Sequence, residues 1–222
     1  MEPLRVLLDV ALGIAAGVTV SACADRLPPR RQTPAPGARR SRRWALVVAI
    51  CASLYAYLGQ RWGWHAVFWM QAGYCTLLLL IAVIDLEHSI VPNVLVGAGV
   101  ILVLTLSVVR GTPPLGATLG GGLVGGVAFA LLGALRRGAL GMGDVKLAAL
   151  IGMMTGFPWV LQALVLGVVL GGVAAAVALI ARLRTGKQYM PYAPYLVAGS
   201  VMTLLHGRGI ADWYARLSGF GG

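Results

Sequence analysis

Charge is what this sequence has least of. Only 11% of its 222 residues are Asp, Glu, Lys or Arg, against about 25% in a soluble globular domain. So little polar material cannot cover a water-facing surface, which excludes an ordinary soluble core and points to immersion in lipid. Acids are scarcer still: Glu2, Asp9, Asp25, Asp85, Glu87, Asp144 and Asp212 are the whole set. The three cysteines, Cys23, Cys51 and Cys75, are far apart and form no CxxC pair. Neither a disulfide framework nor a zinc site is indicated, and they read as small apolar filler. There is no HExxH and no glycine-rich nucleotide motif following a strand, so no metal and no cofactor is expected.

What remains is 59% hydrophobic, with a mean hydropathy of +0.83. A membrane helix needs about 20 apolar residues, within a range of about 17–25. Apolar runs fall at roughly 4–22, 44–59, 65–85, 93–109, 116–135, 145–157, 158–181 and 192–206. The expected fold is an all-α polytopic membrane protein, a single domain over 1–222 built as a bundle of about eight helices. Seven is the alternative if the short sixth run joins the seventh across Gly156, Phe157 and Pro158. The first run, Leu4 to Ala22, lacks a basic lead-in and a small-residue cleavage site, and it reads as a retained span rather than a signal peptide.

The net charge of +11 has to be placed relative to the bilayer before it suggests any nucleic acid, because Lys and Arg mark cytoplasmic loops. With the loop at about 23–43 inside, the inner segments hold Arg26, Arg30, Arg31, Arg39, Arg40, Arg42 and Arg43. They also hold Arg136, Arg137, Lys146, Arg182, Arg184 and Lys187, making 13 of the 18 bases. The outside keeps Arg5, Arg61, Arg110, Arg208 and Arg216. Eight spans in this orientation put the ends of the third and fifth inside. Asp85 and the loop before Asp144 then share the cytoplasmic side, from charge counting alone. The Pro- and Arg-rich 25–43 stretch reads as a loop on anionic headgroups, not a nucleic-acid site. Glycine pairs spaced four apart, Gly121/Gly125, Gly122/Gly126 and Gly167/Gly171, predict close helix packing.

A carboxylate at the centre of a membrane helix costs about 2.5–3.5 kcal/mol on insertion scales, so acids near helix ends in such a chain are functional candidates. Asp85 closes the apolar run Ile81-Ala82-Val83-Ile84-Asp85 and precedes a short loop that Pro92 helps to end. Asp144 sits in Gly141-Met142-Gly143-Asp144-Val145-Lys146, where the two glycines would let the backbone turn sharply. Each has a plainer reading: an interfacial acid at a helix end for Asp85, an N-cap for Asp144. Two carboxylates meeting at one depth can divide the roles of acid and base, and amide hydrolysis needs both.

Ile84-Asp85 with Ile90-Val91-Pro92, and Gly141-Met142-Gly143-Asp144-Val145-Lys146, resemble the two aspartate motifs of type IV prepilin peptidases, members of the GxGD class of intramembrane aspartyl proteases. Asp25-Arg26-Leu27-Pro28 is similar to that family's Arg-x-Pro region. Pro191-Tyr192-Ala193-Pro194-Tyr195-Leu196 is similar to its Pro-rich lead-in to the last helix. The resemblance covers most of the chain. It implies a protease of the bacterial inner (plasma) membrane that cuts the basic leader from prepilins or pseudopilins on the cytoplasmic side. Asp85 and Asp144 would be its catalytic pair, supported by Gly141, Gly143, Lys146 and Pro92. Lys146 and Glu87 would tune the site or lie in solvated loops. His88 would be a proton shuttle or an exposed loop histidine. Longer members carry paired CxxC motifs that bind zinc in an extended first loop, and they also methylate the new N-terminus from S-adenosylmethionine. Here the loop is short and has no cysteine pair after Cys23, so the resemblance carries over neither zinc nor methylation securely. Two other classes fit the composition. An ion-coupled transporter would use the intramembrane acids, but it predicts two related halves that the sequence does not show. A structural subunit of a pilus or secretion assembly would tolerate Asn at both aspartates.

Overall fold

The computed structural model describes residues 2–27, 37–135, 141–181 and 191–218, and is all-helical over them. In order the helices are α1 (Glu2–Arg26), α2 (Gly37–Trp62), α3 (Ala66–His88), α4 (Asn93–Arg110), α5 (Leu115–Leu135), α6 (Met142–Thr155), α7 (Trp159–Ile180) and α8 (Ala193–Leu217). Five of these, α1, α3, α4, α5 and α7, are long and apolar enough to cross a membrane. The chain is thus an all-α polytopic membrane protein. The bases counted within 28–36, 136–140 and 182–190 lie outside the described residues.

The expected runs match helices, with shifted ends. Gly156, at φ 73°, separates α6 from α7, a backbone region that glycine enters without steric cost. The short sixth and the seventh run are therefore distinct helices. At 14 residues, α6 is about 21 Å long at 1.5 Å per residue, short of the roughly 30 Å hydrocarbon layer. The last helix runs on to Leu217, well past the expected end near 206, because no Gly-Pro or Asn stop follows His206. The loop at about 23–43 narrows too, since α1 continues through Arg26 and α2 starts at Gly37.

The chain forms two compact units, divided within α3 between Ile84 and Asp85. In the first, α1 lies against α2. Gly13 and Gly17 make this possible, since a methyl at Gly13 would meet the Ala52 backbone and one at Gly17 the Val48 backbone. Asp25 at the end of α1 is tied to α2 by the Arg43 guanidinium at 2.5 Å and the Trp44 indole N–H at 3.3 Å.

In the second unit α5 packs on α6 and α7 on α8, while α6 also touches α4, α7 and α8. The glycine pairs do what their spacing predicts. Gly121 lies against the Gly152 carbonyl and Gly125 against the Ala148 carbonyl, so α5 and α6 meet backbone to backbone. A Cβ added at Gly167 would lie only 3.0 Å from the Leu196 Cα. Being surrounded, α6 buries Leu147, Ala148, Leu150, Ile151, Gly152 and Met154 with Asp144 at its start. Its shortness is that of a central helix enclosed by longer ones.

Candidate active site

Both aspartates belong to the second unit, and both are buried, Asp85 at 2% and Asp144 at 3% exposure. Asp85 is not the last residue of its helix, as the apolar run suggests. The helix continues one turn to His88, closing with the Ser89 N–H on the Asp85 carbonyl at 2.7 Å. Ser89 then takes φ 52°, a left-handed conformation, which turns the chain out of α3. Pro92, extended at φ −68° and ψ 125°, is the N-cap of α4, so the short loop between helices ends where the sequence predicts.

Asp144 does not cap α6. Gly141 is the N-cap, and Asp144 is the third residue of the helix. From there its Oδ2 reaches back to accept the Gly141 N–H at 3.2 Å, the carboxylate half of a capping arrangement. Asp85 Oδ2 accepts the Ala193 N–H at 3.2 Å, and Ala193 is the first residue of α8. The first N–H groups of a helix have no partner within it and carry its positive end. Each buried carboxylate is thus held by a helix N-terminus, which offsets part of the cost of taking it out of water.

The two acids line one cavity of about 210 Å³, together with Ser89, Ile90, Val91, Asn93, Gly141, Gly143 and Lys146. They are within electrostatic reach of each other, and Asp144 is also within reach of the Tyr192 phenol. Lys146 Nζ donates to Asn93 Oδ1 at 2.9 Å, an exposed bond that joins the two motifs across the mouth. Gly143 joins them deeper in. A Cβ there would sit 3.1 Å from Val91 Cβ and 3.2 Å from its Cγ2.

That contact corrects the reason expected for the glycines. Gly141 has φ −77° and ψ 149°, and Gly143 shows no positive φ, so neither position uses glycine's conformational freedom. Gly143 is small because Val91 lies against it. Of the sequence-predicted residues, Asp85, Asp144, Gly141, Gly143 and Lys146 meet at the cavity, while Pro92, between the lining residues Val91 and Asn93, does not line it. Glu87 is exposed and His88 half-buried on the last turn of α3, and neither lines the cavity. Sequence reasoning missed Ser89, Asn93 and the Ala193 N–H. The Pro191–Leu196 stretch was a signal for the last of these, but a backbone donor has no residue type to read.

Fold and site define an all-α polytopic membrane protein with paired buried carboxylates at helix ends. Residues 72–176 match the model of the type IV leader peptidase family. The chain is 28% identical over 172 residues to a prepilin leader peptidase/N-methyltransferase of Bacillus subtilis, covering 76% of this chain and 68% of that one. It is 29% identical over 193 residues to a protein of the same name from Pseudomonas aeruginosa, covering 81% and 63%. A third, from Stutzerimonas stutzeri, is 29% identical over 189 residues, covering 80% and 63%. The chain therefore spans about two thirds of the length of the curated relatives it matches. No solved structure matches it. The segment 72–176, which holds both aspartates, thus matches the type IV leader peptidase family, and most of the chain is similar to prepilin leader peptidases.

Proposed function

We propose that the chain, acting as one integral membrane domain, is an aspartic endopeptidase that removes the basic leader from prepilin or pseudopilin-like substrates. One observation carries this reading: two buried carboxylates on different helices open onto the same small cavity. In the proposed reaction one carboxylate takes a proton from water as the oxygen attacks the scissile carbonyl. The other gives a proton to the departing amine. The Ala193 and Gly141 N–H groups fix one oxygen of each carboxylate, leaving the others to face water and substrate. Gly143 against Val91 sets the spacing of the two motif segments.

The proposed location is the bacterial inner membrane with the site at its cytoplasmic face, supported by the 13-to-5 distribution of basic residues. The relatives' names also include N-methyltransferase. The proposal for this chain is confined to leader cleavage. The test is a prepilin incubated in membranes with wild type, Asp85→Ala and Asp144→Ala. Leader removal by wild type and by neither variant is expected; full cleavage by either variant overturns the proposal.

A further inference from the structure

A second cavity, of about 760 Å³, lies in the first unit between the start of α1 and the end of α2. Arg5 and Arg61 both line it. Arg5 Nη2 donates to the Gly59 carbonyl at 3.0 Å, which fixes that guanidinium while leaving its other N–H groups unused by this bond. Arg61 stands 5.1 Å over the Trp62 ring and donates Nη1 to the Tyr57 hydroxyl at 2.9 Å. Among the described residues, neither is paired with a carboxylate. Two of the five bases expected on the sparsely charged side of the membrane thus converge on one hollow.

Besides Gln60, Gly63 and His65, the remaining wall is apolar and aromatic. Leu4 and Leu8 line it at 63% and 43% exposure. Trp62 and Trp64 line it as well. Trp64 is held in place because its indole N–H donates to Asp9 Oδ1 at 2.6 Å. Asp9 itself is 1% exposed and does not line the cavity. A methyl at Gly59 would collide with its carboxylate. The buried acid therefore serves as the anchor of a cavity-wall tryptophan.

Guanidinium groups match phosphate oxygens in a fixed fork geometry. Tryptophan settles at the level of lipid headgroups. Exposed leucines on a membrane helix face acyl chains. One kind of molecule satisfies all three. We propose that this cavity is a binding site for an anionic phospholipid, its phosphate held by Arg5 and Arg61, its glycerol edge against Trp62 and Trp64, and an acyl chain along Leu4 and Leu8. The site is independent of the peptidase reading, since none of its residues belongs to the aspartate cavity.

The test uses the purified full chain in a neutral detergent, titrated with phosphatidylglycerol carrying brominated acyl chains, which quench nearby tryptophans. Phosphatidylcholine brominated in the same way is the control. Wild type is expected to bind the anionic lipid at least about tenfold more tightly than the zwitterionic one, the scale of one charge-assisted contact. Arg61→Gln keeps the Arg5–Gly59 bond and is expected to lose much of that preference. The Arg5→Gln/Arg61→Gln double variant is expected to lose all of it. Arg110→Gln, outside the cavity, is expected to keep it. A thermal melt reports folding, and if the double variant does not fold, Arg61→Gln decides. Undiminished preference in Arg61→Gln overturns the proposal, and so does equal loss in Arg110→Gln. Displacement of the lipid by millimolar inorganic phosphate alone also overturns it, because the site would then be one for free phosphate.

Discussion

A methyl group added at position 143 would be built into the wall between the two aspartate segments. The backbone there is ordinary, so alanine adopts it without strain, and the whole effect must come from space. The new Cβ would lie 3.1 Å from Val91 Cβ and 3.2 Å from Val91 Cγ2, closer than ordinary van der Waals contact. Val91 cannot swing clear easily, because a β-branched side chain is stiff at its first torsion and Pro92 follows it. The loop carrying Val91 and the start of α6 carrying Asp144 would have to part by a few tenths of an ångström. Overpacking of this kind costs about 1–3 kcal/mol. If that cost falls on the geometry between the carboxylates, Gly143→Ala lowers kcat/KM by about 5- to 150-fold. Val91→Ala removes the obstructing methyls, so the Gly143→Ala/Val91→Ala pair should recover most of the loss. The assay is leader cleavage by purified, reconstituted enzyme, with all three variants checked for equal folding. A double variant as slow as Gly143→Ala alone would refute the steric reasoning and return the glycine to a role in chain flexibility.

Ser89, at φ 52°, bears the steric cost of a left-handed residue, about 1–2 kcal/mol. Ser89→Gly should therefore melt no lower than wild type, while Ser89→Val should melt lower. Gly152 lies against the Gly121 carbonyl, so Gly152→Val forces α5 and α6 apart. A loss of about 3 kcal/mol or more is expected, read as a large fall in Tm or failure to recover folded protein. The Lys146–Asn93 bond is exposed and contributes about 1 kcal/mol or less. Lys146→Gln should change kcat/KM by less than about fivefold, and a hundredfold loss would mean that Lys146 acts on the reacting groups.

How much of this was legible in the sequence depends on which atoms do the work. Membrane class, helix number and the glycine contacts of α5 on α6 follow from apolar run length and small-residue spacing, which are properties of side chains. Asp85 and Asp144 stood out because carboxylates are costly where the surrounding sequence is apolar. Helix ends were less legible. Asp85 looked terminal because hydropathy falls there, yet Leu86, Glu87 and His88 are sterically free to continue the helix. Asp144 looked like a cap because Asp often is one, yet Gly141 starts the helix three residues earlier and Asp144 serves it from inside. Gly143 reads as a sharp-turn residue because the sequence cannot show that Val91, 52 positions earlier in the chain, lies against the place of its missing side chain. The Ala193 N–H was invisible, since it is a backbone group placed by the start of α8.

The central claim is that Asp85 and Asp144 act as one unit on one water. The most direct measurement is single-turnover leader cleavage by Asp85→Asn, by Asp144→Asn and by the double variant, each shown to be folded. Each single change should slow cleavage by about 10²–10⁴-fold, the range for loss of a positioned acid or base. The double change should be no slower than the worse single one, because a machine missing either half is already stopped. Losses that multiply in the double variant, or a single variant that cuts at the wild-type rate, would contradict the account.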